Sequence, residues 1–388
     1  MKSILTIFIQ FFTLGCTSFG GPAAHLGYFR TVFVEKRKWI KEDEYAQLIA
    51  LSQFLPGPGS SQVGFAIGMK KMGVLGGITA FIGFTLPSFA LMAALAAGYV
   101  HLQEASWLDT IIHSLKLLAV IVVLDATLSM SKSFCKEKYT QIIALLTCAV
   151  LIISPIPFSQ IYCLIAAAAI GSWLLKNDLS SESTTPPQKI SIHNLTLLFG
   201  FVILFTLCLF QYTPFNEVFE ETFVAGSLVF GGGHVVLPLL SDFFNPLIGE
   251  QSFITGYAAA QAIPGPMFTF ATYLGALSHE NPLIGASLAT LGIFLPGFIL
   301  LIIFEKHWQQ LAQRPKVSGM VKGVNAAVVG LLAATLYNPI FSSSVISSVD
   351  MACVVIGILL LRVLNWSIFR LISLALVLSL LQIVIMPR

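Results

Sequence analysis

The sequence predicts an all-α polytopic membrane protein made of two inverted-topology repeats. Hydrophobic residues make up 56% of the 388 residues and charged residues only 10%, whereas a soluble globular domain carries about 25% charged residues. Apolar runs long enough to cross a bilayer recur along the chain, for example at 195–210, 283–303 and 368–385. The third observation is that sequence motifs of the first half return in the second half.

Three motifs establish the repeat. FGGP at 19–22 returns as FGGG at 230–233, LPGP at 55–58 returns as IPGP at 263–266, and FTLP at 84–87 returns as FLP at 294–296. The spacing is 208 to 211 residues each time. Gln53 and Gln261 each stand three residues before the first proline of their Pro-Gly-Pro motif. Helix-breaking residues inside very apolar sequence are typical of transporters with discontinuous helices at the binding site.

The repeat divides the chain into three parts. Residues 1–175 form the first repeat, residues 176–212 a polar linker with a connecting transmembrane helix, and residues 213–388 the second repeat. Residues 176–192 are rich in Ser, Thr and Pro, so they cannot bury a core and are interpreted as an aqueous linker. The connecting helix is predicted over residues 193–210.

The early segments of each repeat are too short, or too interrupted, for ordinary spans. In the first repeat, residues 4–19 end at the Gly-Gly pair, and a second piece begins at Pro22 and ends at the charged run 35–38. An amphipathic piece, 42–54, breaks at Pro-Gly-Pro and is followed by another at 60–72. Gly after a helix and Pro in its first turn are stop and start signals. Apolar pieces of about 10–14 residues suit re-entrant segments, so two hairpins of half-helices are predicted in each repeat.

Four longer helices are predicted after the hairpins of each repeat. Their expected ranges are 77–98, 110–131, 139–154 and 158–175, then 282–304, 317–337, 345–361 and 367–386. If the hairpins return to the side on which they start, nearly all basic residues fall on one side of the membrane, as is typical of the cytoplasmic side.

The loop charges predict that the repeats are inverted. The basic run 36–38 corresponds to the lysine-free 243–252, and the lysine-free 102–109 corresponds to 306–316, which begins and ends with lysine. Five crossings separate equivalent points of the two repeats, and five is an odd number. The N-terminus is therefore predicted in the cytoplasm, with the second repeat in the opposite orientation.

The four helix breaks form the main candidate site. Half-helices that begin near Pro22, Pro58, Gly233 and Pro266 carry unpaired backbone N–H groups and the positive end of a helix dipole. Such ends bind an anion without a full charge inside the membrane. The candidate substrate-binding residues are Gly20, Gly21, Pro22, His25, Arg30, Gln53, Pro56, Gly57, Pro58, Ser60, Ser61, Gly231, Gly232, Gly233, His234, Gln261, Pro264, Gly265, Pro266 and Thr269. The alternative is that these prolines and glycines serve only for kinks and tight helix packing.

Titratable residues within the predicted helices are further candidates. Arg30 can fork onto two oxygens of an oxyanion or anchor its helix at the cytoplasmic surface. His25 and His234 follow the Gly-Gly breaks and can donate, titrate or pack as core histidines. Lys116 and Asp125 are coupling candidates, because charges inside spans are costly. They lie nine positions apart on one predicted helix, and so on opposite faces.

Other chemistry finds little support in the sequence. There is no P-loop, GxSxG or HExxH motif, and the six cysteines include no CxxC pair. No cofactor, metal or enzymatic activity is expected, and ATP-driven transport would need a partner chain. The net charge of +3 implies no nucleic-acid partner. The apolar start is taken as mature sequence, because the first motif lies inside it and no small-residue cleavage site follows.

Four segments make the chain resemble the chromate ion transporter family in its long, two-domain form. They are SFGGPAAH (18–25), WIKEDEYAQLIALSQFLPGPGSSQ (39–62), VFGGGHVVLPLL (229–240) and AAAQAIPGPMFTFATYLG (258–275). The resemblance covers essentially the whole chain. It implies a carrier of the cytoplasmic membrane that exports chromate with an ion-motive gradient and so confers chromate resistance. Chromate is a tetrahedral dianion isosteric with sulfate.

The family motifs carry over to particular positions, and the resemblance implies paired, oppositely oriented halves. The matching positions are Phe19, Gly20, Gly21, Pro22, Gln53, Pro56, Gly57 and Pro58, and Phe230, Gly231, Gly232, Gly233, Gln261, Pro264, Gly265 and Pro266. Gly233 stands where the first copy has Pro22, so the halves need not bind equivalently.

Three rival functions remain open from the sequence. One is a carrier of sulfate or another oxyanion, in either direction. The second is a membrane-embedded enzyme, for example one that acts on lipids, and the third is a passive channel. The expected partners are the lipid bilayer, a small oxyanion and a coupling ion, H⁺ or Na⁺. A homodimer is an arrangement that the sequence leaves open.

Overall fold

The computed structural model describes residues 2–19, 21–102, 106–153, 159–175, 192–212, 216–230, 232–305, 307–308 and 314–385. These residues are mostly helical and include no β-strand, which confirms the all-α class. In this part of the chain, the helices long and apolar enough to cross a membrane are Gly59–Tyr99, Thr110–Phe134, Pro282–Phe304 and Pro315–Ser344. The architecture is that of a polytopic membrane protein.

The helices of the first half follow the predicted order. They are α1 (Lys2–Thr17), α2 (Gly21–Phe29), α3 (Glu42–Phe54), α4 (Gly59–Leu102), α5 (Ser106–Phe134), α6 (Lys138–Ile153) and α7 (Ser159–Leu174). A π-helical turn, Arg30–Lys36, extends α2. The connecting helix α8 (Ile192–Leu209) lies within a residue of its predicted range. The polar linker lies outside the described residues, apart from Ile192 at its end.

The second half contains the corresponding helices. They are α9 (Glu217–Leu228), α10 (Val236–Ile248), α11 (Glu250–Ala262), α12 (Phe270–Ser278), α13 (Pro282–Phe304), α14 (Pro315–Thr335), α15 (Ser348–Ile358) and α16 (Ile368–Ile385). Short 3₁₀ turns, Gly233–Val235 and Met267–Thr269, lead into α10 and α12. A π-helical turn, Leu359–Val363, follows α15.

Helices α3 and α11 end at equivalent residues. Leu55 and Ile263 both precede a proline, and both are extended, with ψ of 149° and 139°. The proline ring disfavours helical conformation in the residue before it. The first proline of each Pro-Gly-Pro motif therefore ends its helix where the sequence predicts a break.

Each half also turns back on itself at a glycine contact. Helix α4 is kinked at Met72 and Gly73, which have non-helical dihedral angles, so its two arms are the predicted pieces 60–72 and 77–98. Gly68 and Gly76 of these arms are so close that a Cβ on either would collide with the backbone of the other. Gly275 of α12 and Gly285 of α13 make the equivalent contact. Small residues permit this close approach of membrane helices.

Helices α5 and α15 run parallel, although they belong to different halves. His113 contacts Asp350 near the start of both helices, with 2.8 Å between Nε2 and Oδ1. Asp125 contacts Arg362 about three turns further along both, with 2.6 Å between Oδ1 and Nε. The residue numbers of the contacting partners increase in the same direction along both helices, so the two helices are parallel.

Helices α6 and α14 form a second parallel pair. Glu137, just before α6, forms an ion pair with Lys322 of α14, with 3.3 Å between Oε1 and Nζ. Further along, the Ala144 carbonyl lies against Gly330. Lys322 of α14 stands 209 residues after His113 of α5, so α14 is the equivalent of α5 in the second half. Each parallel pair therefore contains one helix from each half, and the two pairs are nearly equivalent.

The core between the two halves is aromatic. Phe65 of α4 stacks on Phe298 of α13 with 4.4 Å between ring centroids, and Phe81 of α4 lies 5.0 Å from Phe294 of α13. All four rings are at least partly buried. Helices α4 and α13 therefore cross in the middle of the molecule, and the Pro-Gly-Pro loops lie beside this crossing.

Candidate functional site

The Pro-Gly-Pro loop of each half bonds to the Phe-Gly-Gly break of the other half. The Gly57 N–H donates to the Val229 carbonyl over 2.8 Å, and the Gly265 N–H donates to the Ser18 carbonyl over 2.9 Å. Ser18 and Val229 are equivalent positions 211 residues apart, and Gly57 and Gly265 are 208 apart. The two bonds are thus a symmetric pair that gathers the four predicted breaks into one junction. Because these two backbone N–H groups bond to the other half, they are not donors for a ligand.

The third repeated motif completes the junction. A Cβ on Gly57 would lie 2.8 Å from the Gly297 Cα, and one on Gly265 would lie 2.8 Å from the Ser88 Oγ. Gly297 and Ser88 follow the prolines at 296 and 87. Gly57 and Gly265 also have φ of +119° and +100°, a region that only glycine occupies readily. Close approach and backbone conformation both require glycine here.

Gln62 ties the junction together on one side only. Its side chain is fully buried, and its amide donates to the Pro56 carbonyl over 2.9 Å and to the Gly297 carbonyl over 3.0 Å. The equivalent position in the second half, 208 residues later, is Phe270. Gln62 follows the first Pro-Gly-Pro motif together with Ser60 and Ser61, but unlike them it is not among the candidate site residues predicted from the sequence. The sequence feature that could have identified it is an amide side chain in the first turn after a predicted helix break.

A cavity of about 310 Å³ lies beside the junction. Its described lining residues are Gly21, Pro22, Asp125, Ala126, Ser129, Met130, Gly232, Gly233, His234, Ala260, Gln261, Ile263, Gly265, Met267 and Ile368. The Gly-Gly breaks of both halves and the second Pro-Gly-Pro loop therefore face one space, whereas the first Pro-Gly-Pro loop does not line it. The volume falls at the lower end of the range for small-molecule pockets, about 300–1,000 Å³.

Three polar side chains in the wall are held in place. His234 Nδ1 lies 2.7 Å from the Tyr257 hydroxyl, and the Gln261 amide donates to the Met267 sulfur over 2.8 Å. The Asp125 carboxylate accepts from Arg362. Polar groups that are already fixed in this way orient a ligand at little further entropic cost.

His25 lies in a separate buried polar group of the first half. Its Nδ1 is 3.3 Å from the Ser60 Oγ, and its ring meets the edge of Phe84. Among the described residues, His25 Nε2, Ser61 Oγ and Ser18 Oγ are buried without a hydrogen-bond partner. Buried polar atoms without partners call for an explanation such as a water or a ligand. The group does not line the 310 Å³ cavity.

Three predicted candidates lie away from the cavity wall, from the junction and from the polar group around His25. Arg30 is half exposed and bonds to Glu42 and Glu35, with 2.8 Å and 2.6 Å between the charged atoms. Gln53 is exposed, unlike its sequence equivalent Gln261. Lys116 is half-buried on α5, nine positions before Asp125.

The other predicted site residues divide between the junction and undescribed positions. Gly20 and Gly231 lie outside the described residues. Thr269 directs its hydroxyl to the Pro266 carbonyl over 2.8 Å. The remaining prolines, Pro56, Pro58 and Pro264, belong to the loops of the junction.

A second cavity, of about 590 Å³, occupies an equivalent place in the molecule. Five of its lining positions stand 209 residues from lining positions of the first cavity: Ala334, Thr335, Asn338, Pro339 and Ser159 correspond to Asp125, Ala126, Ser129, Met130 and Ile368. Asp242 and Glu250 also line it, and Gln160 donates to Asp242 over 2.9 Å. The Asp125 carboxylate has no counterpart, since Ala334 takes its place.

Interrupted helices that meet around an interior cavity, in an all-helical chain with several bilayer-length apolar helices, define a polytopic membrane transporter. Within the described residues, no group of three or more His, Cys, Asp or Glu side chains is placed to hold a metal ion. The chain belongs to the chromate transporter family, whose model matches residues 5–172 and 216–381. This match confirms the resemblance inferred from the motifs.

Several relatives align with most of the chain. It is 29% identical over 348 residues to an uncharacterized transporter of Methanocaldococcus jannaschii, covering 86% of this chain and 83% of that protein. It is 26% identical over 340 residues to the chromate transport protein of Pseudomonas aeruginosa, covering 85% and 79%. With the chromate transport protein of Cupriavidus metallidurans it shares 25% identity over 338 residues, covering 84% and 79%. No solved structure matches the chain.

Proposed function

We propose that this protein is a secondary transporter that exports chromate across the cytoplasmic membrane. Two of the relatives are named chromate transport proteins. The observation that carries the proposal is the 310 Å³ cavity, in which the helix breaks of both repeats face one space. Helix starts at Gly21 and Gly233 bring backbone N–H groups and positive dipole ends toward an anion. A compact tetrahedral dianion suits such a site.

The directions of the helices support inverted repeats. Consecutive crossing helices alternate in direction. Helix α5 is the second long helix of the first repeat, α15 is the third of the second repeat, and they run parallel. Helix α14, the equivalent of α5, then runs opposite to it. In this arrangement the two cavities open to opposite sides, as alternating access around a shared junction requires.

Inversion is testable at one pair of equivalent, exposed positions. Asp43 at the start of α3 and Gln251 at the start of α11 are 208 residues apart. In a background without native cysteines, we expect Gln251→Cys to react with a membrane-impermeant maleimide in intact cells. Asp43→Cys is expected to react only in inverted vesicles. Labelling of both variants from the same side would contradict the inversion.

Gln261 and Gln53 provide a matched test of the site. Inverted vesicles containing the protein are expected to accumulate radiolabelled chromate, and Gln261→Ala is expected to lower the initial rate about tenfold, as for the loss of a hydrogen bond to a charged ligand. Gln53→Ala is expected to keep the wild-type rate, because Gln53 is exposed and outside the cavity wall. Equal rates in both variants would contradict the site.

Two controls address the other functions. Unlabelled sulfate is added as a competitor, since sulfate has nearly the same shape and charge as chromate. Accumulation of sulfate and not of chromate would replace chromate by sulfate as the substrate. A flux that neither a protonophore nor an imposed membrane potential alters would contradict a carrier coupled to an ion gradient.

A further inference from the structure

The wall of the 310 Å³ cavity contains one carboxylate among its described residues, that of Asp125. A carboxylate opposes the entry of an anion. In the structure, Arg362 neutralises it, with 2.6 Å between Nε and Oδ1. Both side chains are mostly buried, with 24% and 30% of their surfaces exposed for Arg362 and Asp125. The cavity wall therefore carries the carboxylate of an ion pair, and Arg362 contacts that carboxylate from outside the described lining residues.

Arg362 is held by residues that themselves line the cavity. Its Nη2 donates to the Asp125 carbonyl and to the Ser129 hydroxyl, each over 2.9 Å. A guanidinium has five N–H donors, and these three bonds use Nε and Nη2. Nη1 makes no hydrogen bond to the described residues, so its two N–H groups remain for a ligand. Guanidinium groups are well suited to bind oxyanions through two parallel bonds.

The backbone around Arg362 departs from a regular helix. Arg362 belongs to the π-helical turn Leu359–Val363, and Asn365 has a positive φ of +53°. The chain then enters α16 at Ile368, which lines the same cavity. Single π-helical turns inside helices often occur at functional sites. The guanidinium is thus carried on the segment that joins α15 to the cavity wall.

We infer that Arg362 is the cationic ligand of the transported oxyanion and that Asp125 takes up one proton when the anion displaces it. This inference rests on the proposed function. The anion and the carboxylate compete for the same guanidinium. Once the anion holds Arg362, a charged Asp125 would face a dianion without a counter-charge, and protonation removes that repulsion. One proton then accompanies each anion, and a dianion crosses with a net charge of −1.

Two titratable groups face Asp125 in the described structure. Arg362 approaches from the turn after α15, and His234 approaches from the second Gly-Gly break, where Tyr257 holds its Nδ1. His234 is therefore the competing place for the proton. The second cavity has Ala334 at the position of Asp125, so the equivalent ion pair is absent from its described wall. The carboxylates of that wall are Asp242 and Glu250, and neither stands at the position equivalent to Asp125.

Proteoliposomes with a pH-sensitive internal dye test the inference. Wild-type protein is expected to move one proton with each chromate. Asp125→Asn keeps an acceptor for Arg362 and cannot titrate. The chromate flux is expected to fall, and the flux that remains is expected to carry no proton and to have a flat pH profile. Arg362→Lys is expected to raise KM by about 10- to 100-fold, as for the loss of a charge-assisted hydrogen bond. The double variant Asp125→Asn with Arg362→Gln is expected to fold and not to transport.

The His113–Asp350 pair is the matched control. It joins the same two helices, and its partners are also 237 residues apart in sequence, but neither partner lines the cavity, whereas Asp125 does. His113→Gln is expected to leave KM, the proton ratio and the pH profile unchanged. A purely structural ion pair at Asp125 would lower thermal stability in Asp125→Asn and leave proton coupling intact.

The outcomes separate this inference from the function on which it rests. Absence of both chromate and sulfate flux in wild-type proteoliposomes would contradict the transporter, and this inference with it. Wild-type flux with an unchanged proton ratio in Asp125→Asn, or an unchanged KM in Arg362→Lys, would contradict only the inference. Loss of the pH profile in His234→Gln alone would assign the proton to His234 and overturn the role of Asp125.

Discussion

Replacement of Gly57 by Ala is expected to abolish transport and to unfold much of the protein. The new Cβ would lie 2.8 Å from the Gly297 Cα, which is backbone and cannot move aside alone. The φ of +119° is also strained for any L-residue. A left-handed conformation costs about 1–2 kcal/mol and overpacking about 1–3 kcal/mol, so the loss is roughly 2–5 kcal/mol. Proteins with a stability of about 5–15 kcal/mol tolerate this poorly.

The equivalent change at Gly265 is expected to be milder. Its Cβ would lie 2.8 Å from the Ser88 hydroxyl, the end of a side chain. Adding Ser88→Ala removes that atom, so the double variant is expected to recover part of the loss. The 3.1 Å contact with the Cβ of residue 88 and the strain at φ of +100° remain. Double-mutant cycles measure this coupling directly. Thermal unfolding in detergent and chromate uptake are the measurements.

Gly98→Ala in α4 is the matched control for both changes. No atom lies within 4 Å of its Cβ position, and its φ is not positive. An Ala in a helix is more stable than a Gly by about 0.5–1 kcal/mol, so stability is expected to hold or rise. Equal behaviour of Gly57→Ala and Gly98→Ala would show that the junction between the repeats is not tightly packed in solution.

The interruptions of the helices could be predicted because their causes are local. A proline constrains the residue before it, and this ends α3 at Leu55 and α11 at Ile263. Each motif also occurs twice at nearly the same spacing, so the breaks are not isolated prolines and glycines that fall in apolar sequence by chance. The ends of some long helices followed from apolar length, and α6 was predicted within one residue of Lys138–Ile153. Helix α5 is longer than its predicted range 110–131, since it extends from Ser106 to Phe134.

The contacts of the site could not be predicted, because they join residues far apart in sequence. Asp125 and Arg362 are 237 residues apart, and no periodicity within one helix connects them. The repeat also misled in one respect, since it treated Gln53 and Gln261 as equivalent. The structure leaves the first exposed and places the second in the cavity wall.

Replacement of Gly323 by Leu is expected to separate the two repeats. A Cβ on Gly323 of α14 would collide with the Ala167 carbonyl of α7, and one on Gly171 of α7 would collide with the Gly319 carbonyl of α14. Inside lipid, close backbone packing supplies much of the association between helices, since lipid tails cover apolar side chains equally well. The Leu side chain would force the helix axes apart and remove that packing.

The yield of monodisperse protein in size-exclusion chromatography measures this effect, and we expect it to fall several-fold. Gly200→Leu on α8 is the control, because nothing lies within 4 Å of its Cβ position; it should keep the wild-type yield. A Gly323→Leu variant as stable as the control would mean that α7 and α14 do not pack closely in the membrane.

The same contact bears on how the transporter moves. Interdigitated backbones at Gly171, Gly319 and Gly323 cannot slide past each other without losing most of their contacts, so α7 and α14 should stay together through the transport cycle. The movement between repeats is then expected at other contacts between them, such as those around the cavity and the Asp125–Arg362 pair. On this basis Gly323→Ala should lower the unfolding temperature while the KM for chromate stays unchanged, and a change in KM at constant stability would place the moving surface at α7 and α14 instead.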